Sequence, residues 1–357
     1  MAKWLVVSKD NGDTKMLLPI SRAAIELGHK VRIMAEGVGV LYYKTAGIKP
    51  YFSDNNADPD PKTSFDAEAL LEDVNPQVVL VGFPGPTNLS RTIALAANKM
   101  GIPVVGVEDY WGGAKRNPEI KCALVLTIDE YSAEIARGCV GAEARVAVIG
   151  NHAIPGPEYK SPEAVLIGIK ELRTQFEEIF VYGGGGALHT TEELKLLVPS
   201  LQKTHGNWCL IPRYHPNEKK KTAEEIGNKR IFVEVWDEIL LPLDNRVRRL
   251  DAGNSDDMAV VCDAYFSSIG SSMNTAISCG KPTVAVVTPV MTDVLRTARL
   301  EAIPAVSLGG AKTLTEVMDI RPLLVRPDQA IMEKFRPLDA KLAVREIENF
   351  LANFKAQ

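Results

Sequence analysis

Residues Cys262 to Pro289 read C-D-A-Y-F-S-S-I-G-S-S-M-N-T-A-I-S-C-G-K-P-T-V-A-V-V-T-P. A short apolar run, Ala264 to Phe266, reaches Gly270-Ser271-Ser272. A helical stretch follows to Cys279, and Gly280-Lys281-Pro282 turns into a strand over Thr283 to Val287. Strand, loop, helix, strand is the repeating unit of a parallel sheet, which puts the chain in the α/β class. Small residues in such a loop let backbone N–H groups come close to a ligand, and the helix start behind them offers unpaired donors and partial positive charge to a phosphate. Gly270, Ser271 and Ser272 are therefore candidate phosphate-binding residues. The plainer reading is a βα turn whose serines cap a helix.

The same rhythm runs back to the N-terminus. Trp4 to Ser8 reads as a strand, Lys9 to Thr14 as a polar turn containing Gly12, Lys15 to Leu27 as a helix stopped by Gly28, and His29 to Ala35 as the next strand. A short strand is expected at Pro50 to Ser53, and Gln77 to Val81 is apolar enough for a central strand buried on both faces. Asn55 to Thr63 is turn-rich, and the prolines at 59 and 61 make Asp58-x-Asp60 a loop rather than a metal motif. Strands at Val104 to Val107, Leu124 to Ile128 and Val146 to Ile149 complete a first sheet. Ligands in open α/β sheets bind beyond the carboxyl ends of strands. Glu108, Asp109, Tyr110 and Trp111, which follow Val107 directly, are thus candidates for a site, against a role in capping and packing.

Gly150 to Pro157 collects turn-formers and marks a boundary and hinge between two halves. Beyond it, Pro162 to Glu178 reads as helix and Ile179 to Tyr182 as the first strand of a second sheet, followed by Gly183, Gly184, Gly185 and Gly186. Four glycines in a row are entropically costly. They point to close backbone approach to a diphosphate at a helix N-terminus. No Lys-Ser/Thr follows, which excludes a P-loop, and the spacing is not a dinucleotide fingerprint. The strand Trp208 to Pro212 ends in Arg213-Tyr214-His215-Pro216, where Arg213 and His215 can hold phosphate or form a solvated turn before Lys219 to Lys221. Arg246, Arg248 and Arg249 read as a basic rim or an exposed face, and Leu338 to Phe354 as a terminal amphipathic helix.

Composition limits the function classes. The 357 residues are 46% apolar, enough for two domains of ordinary size. Forty-one basic residues against 45 acidic give a formal charge of −4, so no general nucleic-acid-binding footprint is present. The five cysteines are scattered, with no C-x-x-C pair, which argues against a disulfide framework and a zinc cluster and fits a reducing compartment. No run approaches the roughly 18 apolar residues of a membrane span. A cytoplasmic location is expected; oligomeric state is left open.

Two successive Rossmann-like halves joined by a Gly/Pro hinge resemble the GT-B fold of nucleotide-sugar glycosyltransferases. Gly12-Asp13, fifteen residues before Gly28-His29-Lys30-Val31, resembles the pattern in which a catalytic His or acid follows the first strand; here the position is Asp13. The loop Gly183 to Gly186 is similar to the diphosphate-binding loop of the lipid-linked peptidoglycan-precursor glycosyltransferases. The stretch around Gly270 is similar to the sugar-nucleotide 2-epimerase pattern, with Asn274-Thr275 where those relatives carry a ribose-binding Glu. Ser271-Ser272 with Arg213-Tyr214-His215-Pro216 also resembles the phosphate-contacting motifs of CDP-glycerol glycerophosphotransferases.

The resemblance implies two Rossmann-like doubly wound parallel-sheet domains facing each other across a cleft. Residues 1–155 would form the acceptor side, 156–336 the nucleotide-sugar side, and 337–357 a C-terminal helix. It implies a glycosyltransferase, inverting and without metal or cofactor, using a nucleotide sugar, a UDP-sugar foremost, as co-substrate. Asp13 would be the general base and Glu108 its reserve, with Asp109 and Tyr110 lining the acceptor side. Gly183 to Gly186, Arg213, His215, Gly270, Ser271, Ser272 and Asn274 would hold the nucleotide and its phosphates. The alternatives are a sugar-nucleotide 2-epimerase or hydrolase, a phosphopolyol transferase, or a non-catalytic binding protein of the same fold.

Overall fold

The computed structural model describes residues 1–50, 52–54, 66–83, 89–156, 158–214, 221–224 and 230–354. The loop read at Asn55 to Thr63 and the candidate His215 lie outside the described residues. The chain divides into two compact units, Met1–His152 with Pro337–Gln357, and Ala153–Arg336.

The first unit is built on a parallel sheet of seven strands: β1 (Lys3–Ser8), β2 (Lys30–Glu36), β3 (Phe52–Asp54), β4 (Val78–Gly82), β5 (Val104–Val107), β6 (Leu124–Thr127) and β7 (Arg145–Val148). Their order across the sheet is β3-β2-β1-β4-β5-β6-β7. β1 and β4 pair in register from Trp4 opposite Val78 to Val7 opposite Val81, and both run apolar and buried because helices cover both faces of the sheet. The strand order reverses direction between β1 and β4. The loops leaving those two strands therefore diverge to opposite faces and open a crevice, the place where such sheets accept ligands.

The helix after β1 spans Asn11–Glu26 and starts within the stretch that reads as a polar turn. Asp10 takes the extended N-cap conformation, so Asn11, Gly12 and Asp13 make the first turn, where an acidic side chain suits the helix dipole. Asp13 is thus fixed on a helix. The terminal helix Ala340–Phe354 buries Ala343, Val344, Ile347, Phe350 and Leu351 and packs on the Asn11–Glu26 helix. The Ala2 backbone N–H donates to His29 Nδ1 at 3.3 Å, which leaves Nε2 of the neutral ring to donate to Glu348 Oε1 at 2.9 Å.

The second unit has five parallel strands: β8 (Glu178–Gly183), β9 (Trp208–Arg213), β10 (Ala264–Ser267), β11 (Thr283–Val286) and β12 (Lys312–Leu314). The order is β12-β11-β10-β8-β9, which puts its reversal between β8 and β10. Phe180 pairs with Ala264 and Tyr182 with Phe266, so the two loops that follow these strands emerge side by side. The core holds Phe180, Trp208, Phe232, Trp236 and Phe266. The helix read from Pro162 to Glu178 is shorter, Glu163–Leu172. Past its end the Thr174 hydroxyl donates to Glu171 O at 2.7 Å and closes a turn before β8.

Candidate functional site

In the first unit Asp13 stands at the reversal point. Its Oδ2 accepts from the Lys9 backbone N–H at 3.1 Å, and the Thr14 hydroxyl lies 3.2 Å from its Oδ1 and 3.2 Å from Ser8 Oγ. Asp13 is 3% exposed, and burial pushes its carboxyl up to about 7, with the carboxylates of Asp109 and Asp10 adding to the rise. Two glycines make this arrangement possible. A Cβ on Gly82, the last residue of β4, would stand 2.2 Å from Asp13 Cβ, and one on Gly12 would stand 1.8 Å from Asp109 Oδ2. Asp109, half-buried after β5, is in this way brought beside the helix that carries Asp13, and its own carboxyl is raised by burial.

Glu108 turns out differently from a reserve base. It has no exposed surface; Ala114 N–H donates to its Oε1 at 2.9 Å, and the Ser132 hydroxyl donates to Oε2. Burial pushes its carboxyl up to about 7. Its contacts fasten the segment after β5 to the helix Glu130–Arg137. Trp111 donates to Asp129 Oδ2 at 2.7 Å and packs edge-on against Tyr110 with centroids 4.7 Å apart, so Trp111 is a packing residue, while half-buried Tyr110 carries Arg116 over its ring at 6.0 Å.

In the second unit the glycine loop leads into the helix Ala187–Gln202 and the serine loop into the helix Ser271–Ser278. Their N-cap residues are Gly186 and Gly270, and neither helix start is capped by a side chain. At the second of these starts the Met273 N–H turns back to Gly270 O at 3.3 Å. The loops are tied by Ser267 Oγ, which donates to Gly183 O at 2.6 Å.

The glycines differ in why they are glycine. A Cβ on Gly183 would meet Tyr265 Oη at 2.0 Å and one on Gly184 would meet Thr190 Oγ1 at 2.7 Å, so those two are set by packing. Gly185 and Gly270 meet nothing within 4 Å, and neither has a left-handed φ. Packing and backbone conformation leave them unexplained.

Of the other candidates, Ser271 is exposed and Ser272 faces the Tyr265 hydroxyl. Arg213 donates through both Nη atoms to the carbonyls of Leu250 and Gly253, so its guanidinium secures the loop before the helix Ser255–Val261. Asn274 is 1% exposed, and its Oδ1 accepts no hydrogen bond among the described residues. The three arginines stack on aromatic rings: half-buried Arg246 lies over Trp208 at 4.4 Å, half-buried Arg248 over Phe176 at 4.7 Å and exposed Arg249 over Tyr214 at 5.1 Å.

Sequence reading missed Glu193. It has no exposed surface, lies on the helix after the glycine loop and receives a hydrogen bond from Tyr182 Oη at 2.7 Å. The signal was its spacing: Glu193 follows Gly186 by seven residues, two helical turns, which returns it to the same helix face. Among the described residues no group of three His, Cys, Asp or Glu side chains is arranged to hold a metal ion. No described helix is long and apolar enough to cross a membrane.

No protein-family model matches the chain, and no curated protein matches its sequence. Solved structures do match along almost its whole length. The UDP-GlcNAc 2-epimerase of Methanocaldococcus jannaschii superposes with a TM-score of 0.59 at 16% identity, covering 97% of this chain and 99% of that one. Anabaena HepE, solved with UDP and glucose, gives a TM-score of 0.60 at 14% identity over 99% and 100%. A glycosyltransferase of Rickettsia africae gives 0.59 at 14% over 98% and 88%. At these identities the likeness shows the fold: two Rossmann-like α/β units of the GT-B type, shared by glycosyltransferases and UDP-GlcNAc 2-epimerases.

Proposed function

We propose that this chain is a glycosyltransferase that takes a sugar from a UDP-sugar and transfers it, with inversion, to an acceptor hydroxyl. The observation that carries the reading is Asp13. It is a carboxyl at the reversal point of the first sheet, held by Lys9 N–H and Thr14, with an acidity near 7. A base is most useful when its pKa lies near the working pH. In this reading Asp13 takes the proton of the acceptor oxygen as that oxygen attacks the anomeric carbon. Asp109 and Tyr110 then belong to the acceptor side.

The second unit supplies the donor's anchorage in the same reading. N–H groups at Gly185, Gly186, Gly270 and Ser271 meet the diphosphate, and the positive ends of two helices stabilise the charge that builds on the leaving group. The choice of a UDP-sugar draws on neighbours solved with UDP and on those named for UDP-GlcNAc.

The test is UDP release and product formation from a UDP-sugar and a panel of acceptors. Asp13→Asn is expected to abolish transfer while UDP binding persists; retained turnover removes the assigned role. A second reading, 2-epimerisation, is favoured by Asp109 beside Asp13, because elimination and re-addition of UDP need more than one acid/base group. It predicts an epimeric UDP-sugar, with solvent deuterium at the inverted carbon, in the absence of any acceptor.

A further inference from the structure

Four of the buried polar oxygens that lack a hydrogen bond of good geometry among the described residues crowd the two loop-helix junctions of the second unit: Thr190 Oγ1, Glu193 Oε1, Ser268 Oγ and Asn274 Oδ1. One of them belongs to the Glu193 carboxyl, and the Thr190 and Ser268 hydroxyls lie around it. Glu193 has no exposed surface and neither has Ser268, whose hydroxyl faces it from the loop after β10. Tyr182, the residue before the glycine loop, donates to Glu193 Oε2 at 2.7 Å, and Thr190 faces the Tyr182 hydroxyl from the first turn of the helix.

We propose that Glu193 is a positioning residue of the nucleotide site, a neutral carboxyl that clamps the glycine loop to the serine loop, so that binding of a nucleotide diphosphate to these loops is linked to its proton. This rests on the reading of those loops as a diphosphate site.

The neutral form is the one the surroundings accept. An ionised carboxylate shut off from solvent, with only the neutral hydroxyls of Tyr182 and Ser268 against it, is strongly disfavoured. A protonated one carries no charge to desolvate: Oε1–H donates to the Ser268 oxygen while Oε2 keeps the Tyr182 hydroxyl. The groups facing Glu193 are uncharged, Tyr182 from β8 and Ser268 from the loop after β10, and among the described residues no cation lies against it. On its own helix Glu192 is paired with Lys195 at 2.7 Å. Other titratable groups at the loops among the described residues are His189 beside Gly186, Arg213 on its two carbonyls, Tyr265 under Gly183, and Tyr214, which acts on Tyr182. Burial pushes the Glu193 carboxyl up to about 7, which supports the assignment.

The geometry makes the proton matter. Ser267 to Gly183 is one rung between the loops, and Tyr182–Glu193–Ser268 is a second rung just beneath them. A diphosphate lying across both helix starts needs that register. Its negative charge also opposes ionisation of the carboxyl below. Bound anion and bound proton therefore favour one another, and the coupling is reciprocal. The sign follows: affinity is highest below the carboxyl's free value and weakens as pH rises through about 7.

The probe is UDP-GlcNAc, whose diphosphate does not titrate near neutrality, measured by calorimetry with the full chain from about pH 5.5 to 8.5. Expected for the wild type is a dissociation constant that weakens by about tenfold per pH unit at most above pH 7, with proton uptake on binding. Glu193→Gln should lose the slope and the proton uptake, Glu193→Ala should bind weakly at every pH, and His189→Gln should keep the slope. A slope that survives in Glu193→Gln overturns the proposal. Melting temperatures without ligand give a second readout: Glu193→Gln should gain on the wild type as pH rises from about 5 to 8, and no gain means the carboxyl is not held neutral. If UDP-GlcNAc and UDP bind at no pH, the nucleotide reading falls and the linkage with it. Binding with no pH dependence overturns the linkage alone.

Discussion

Asp13 and Gly185 show how differently two single residues can be read. Asp13 must be ionised to take a proton, so turnover should rise as pH increases through about 7 and then level off. Asp13→Asn should lower it by roughly a hundredfold or more while changing UDP affinity little. Stability should move the other way. Because burial raises the folded carboxyl above its unfolded value of about 4, the wild type loses stability as pH climbs from about 4 to about 7. Asp13→Asn is free of that loss. The variant should therefore melt higher relative to wild type at pH 8 than at pH 5, and an unchanged difference would mean that Asp13 is ionised in the fold. Gly185 offers the cleaner test of the phosphate loop. Gly183→Ala and Gly184→Val drive a side chain into Tyr265 and Thr190, so they should lose both stability and binding. Gly185→Val enters open space. It should keep the wild-type melting temperature and weaken UDP binding by about tenfold or more, and retained affinity would remove the backbone contact from the site.

At the scale of elements, what the sequence discloses is periodicity, and what it hides is adjacency. The run Val78 to Val81 is legible as a central strand because burial on both faces demands continuous apolar residues. The strand, loop, helix, strand pattern at Ala264 to Val286 is legible for the same reason, and both match the structure within a residue or two. The start of the Asn11 helix is not legible, since N-G-D-T has a turn's composition and becomes helical because Asp10 is extended before it. Gly12 and Gly82 are visible as glycines, but their reason, the carboxylates of Asp109 and Asp13 pressed against them, appears only when three strands are side by side. Arg213 looks like a phosphate ligand in sequence because nothing there shows the two carbonyls it serves. Glu193 looks like an ordinary surface acid until Tyr182 is seen to cover it. The terminal helix was legible by its apolar stripe, but its partner was not. It completes the first unit, burying Val344, Ile347, Phe350 and Leu351 at about 1.5–3 kcal/mol per side chain, which together rivals the stability of a whole domain. Truncation after Arg336 should therefore lower the melting temperature of the first unit sharply or leave it unfolded, readable by calorimetry; an unchanged transition would mean the helix is dispensable.

For the whole molecule, the two units are not equal in how the chain builds them. The first is assembled from two distant segments, whereas Ala153–Arg336 is one uninterrupted stretch. That stretch contains its own aromatic core, all five strands of its sheet, and both loops proposed to hold the diphosphate. It follows that residues 153–336 expressed alone should fold cooperatively and bind UDP almost as tightly as the full chain, with no turnover, because Asp13 belongs to the other unit. The measurement is a thermal-shift panel of UDP, GDP, CDP and dTDP on both proteins. A ligand at about 100 times its dissociation constant stabilises the fold that binds it by about 2.7 kcal/mol. UDP shifting both proteins alike places donor recognition in the second unit. A shift confined to the full chain, with the fragment folded, means that residues of the first unit contribute to binding the nucleotide. A flat panel on both removes the diphosphate from Gly185 and Gly270, and with it the reason for reading Asp13 as a base that works on a nucleotide sugar.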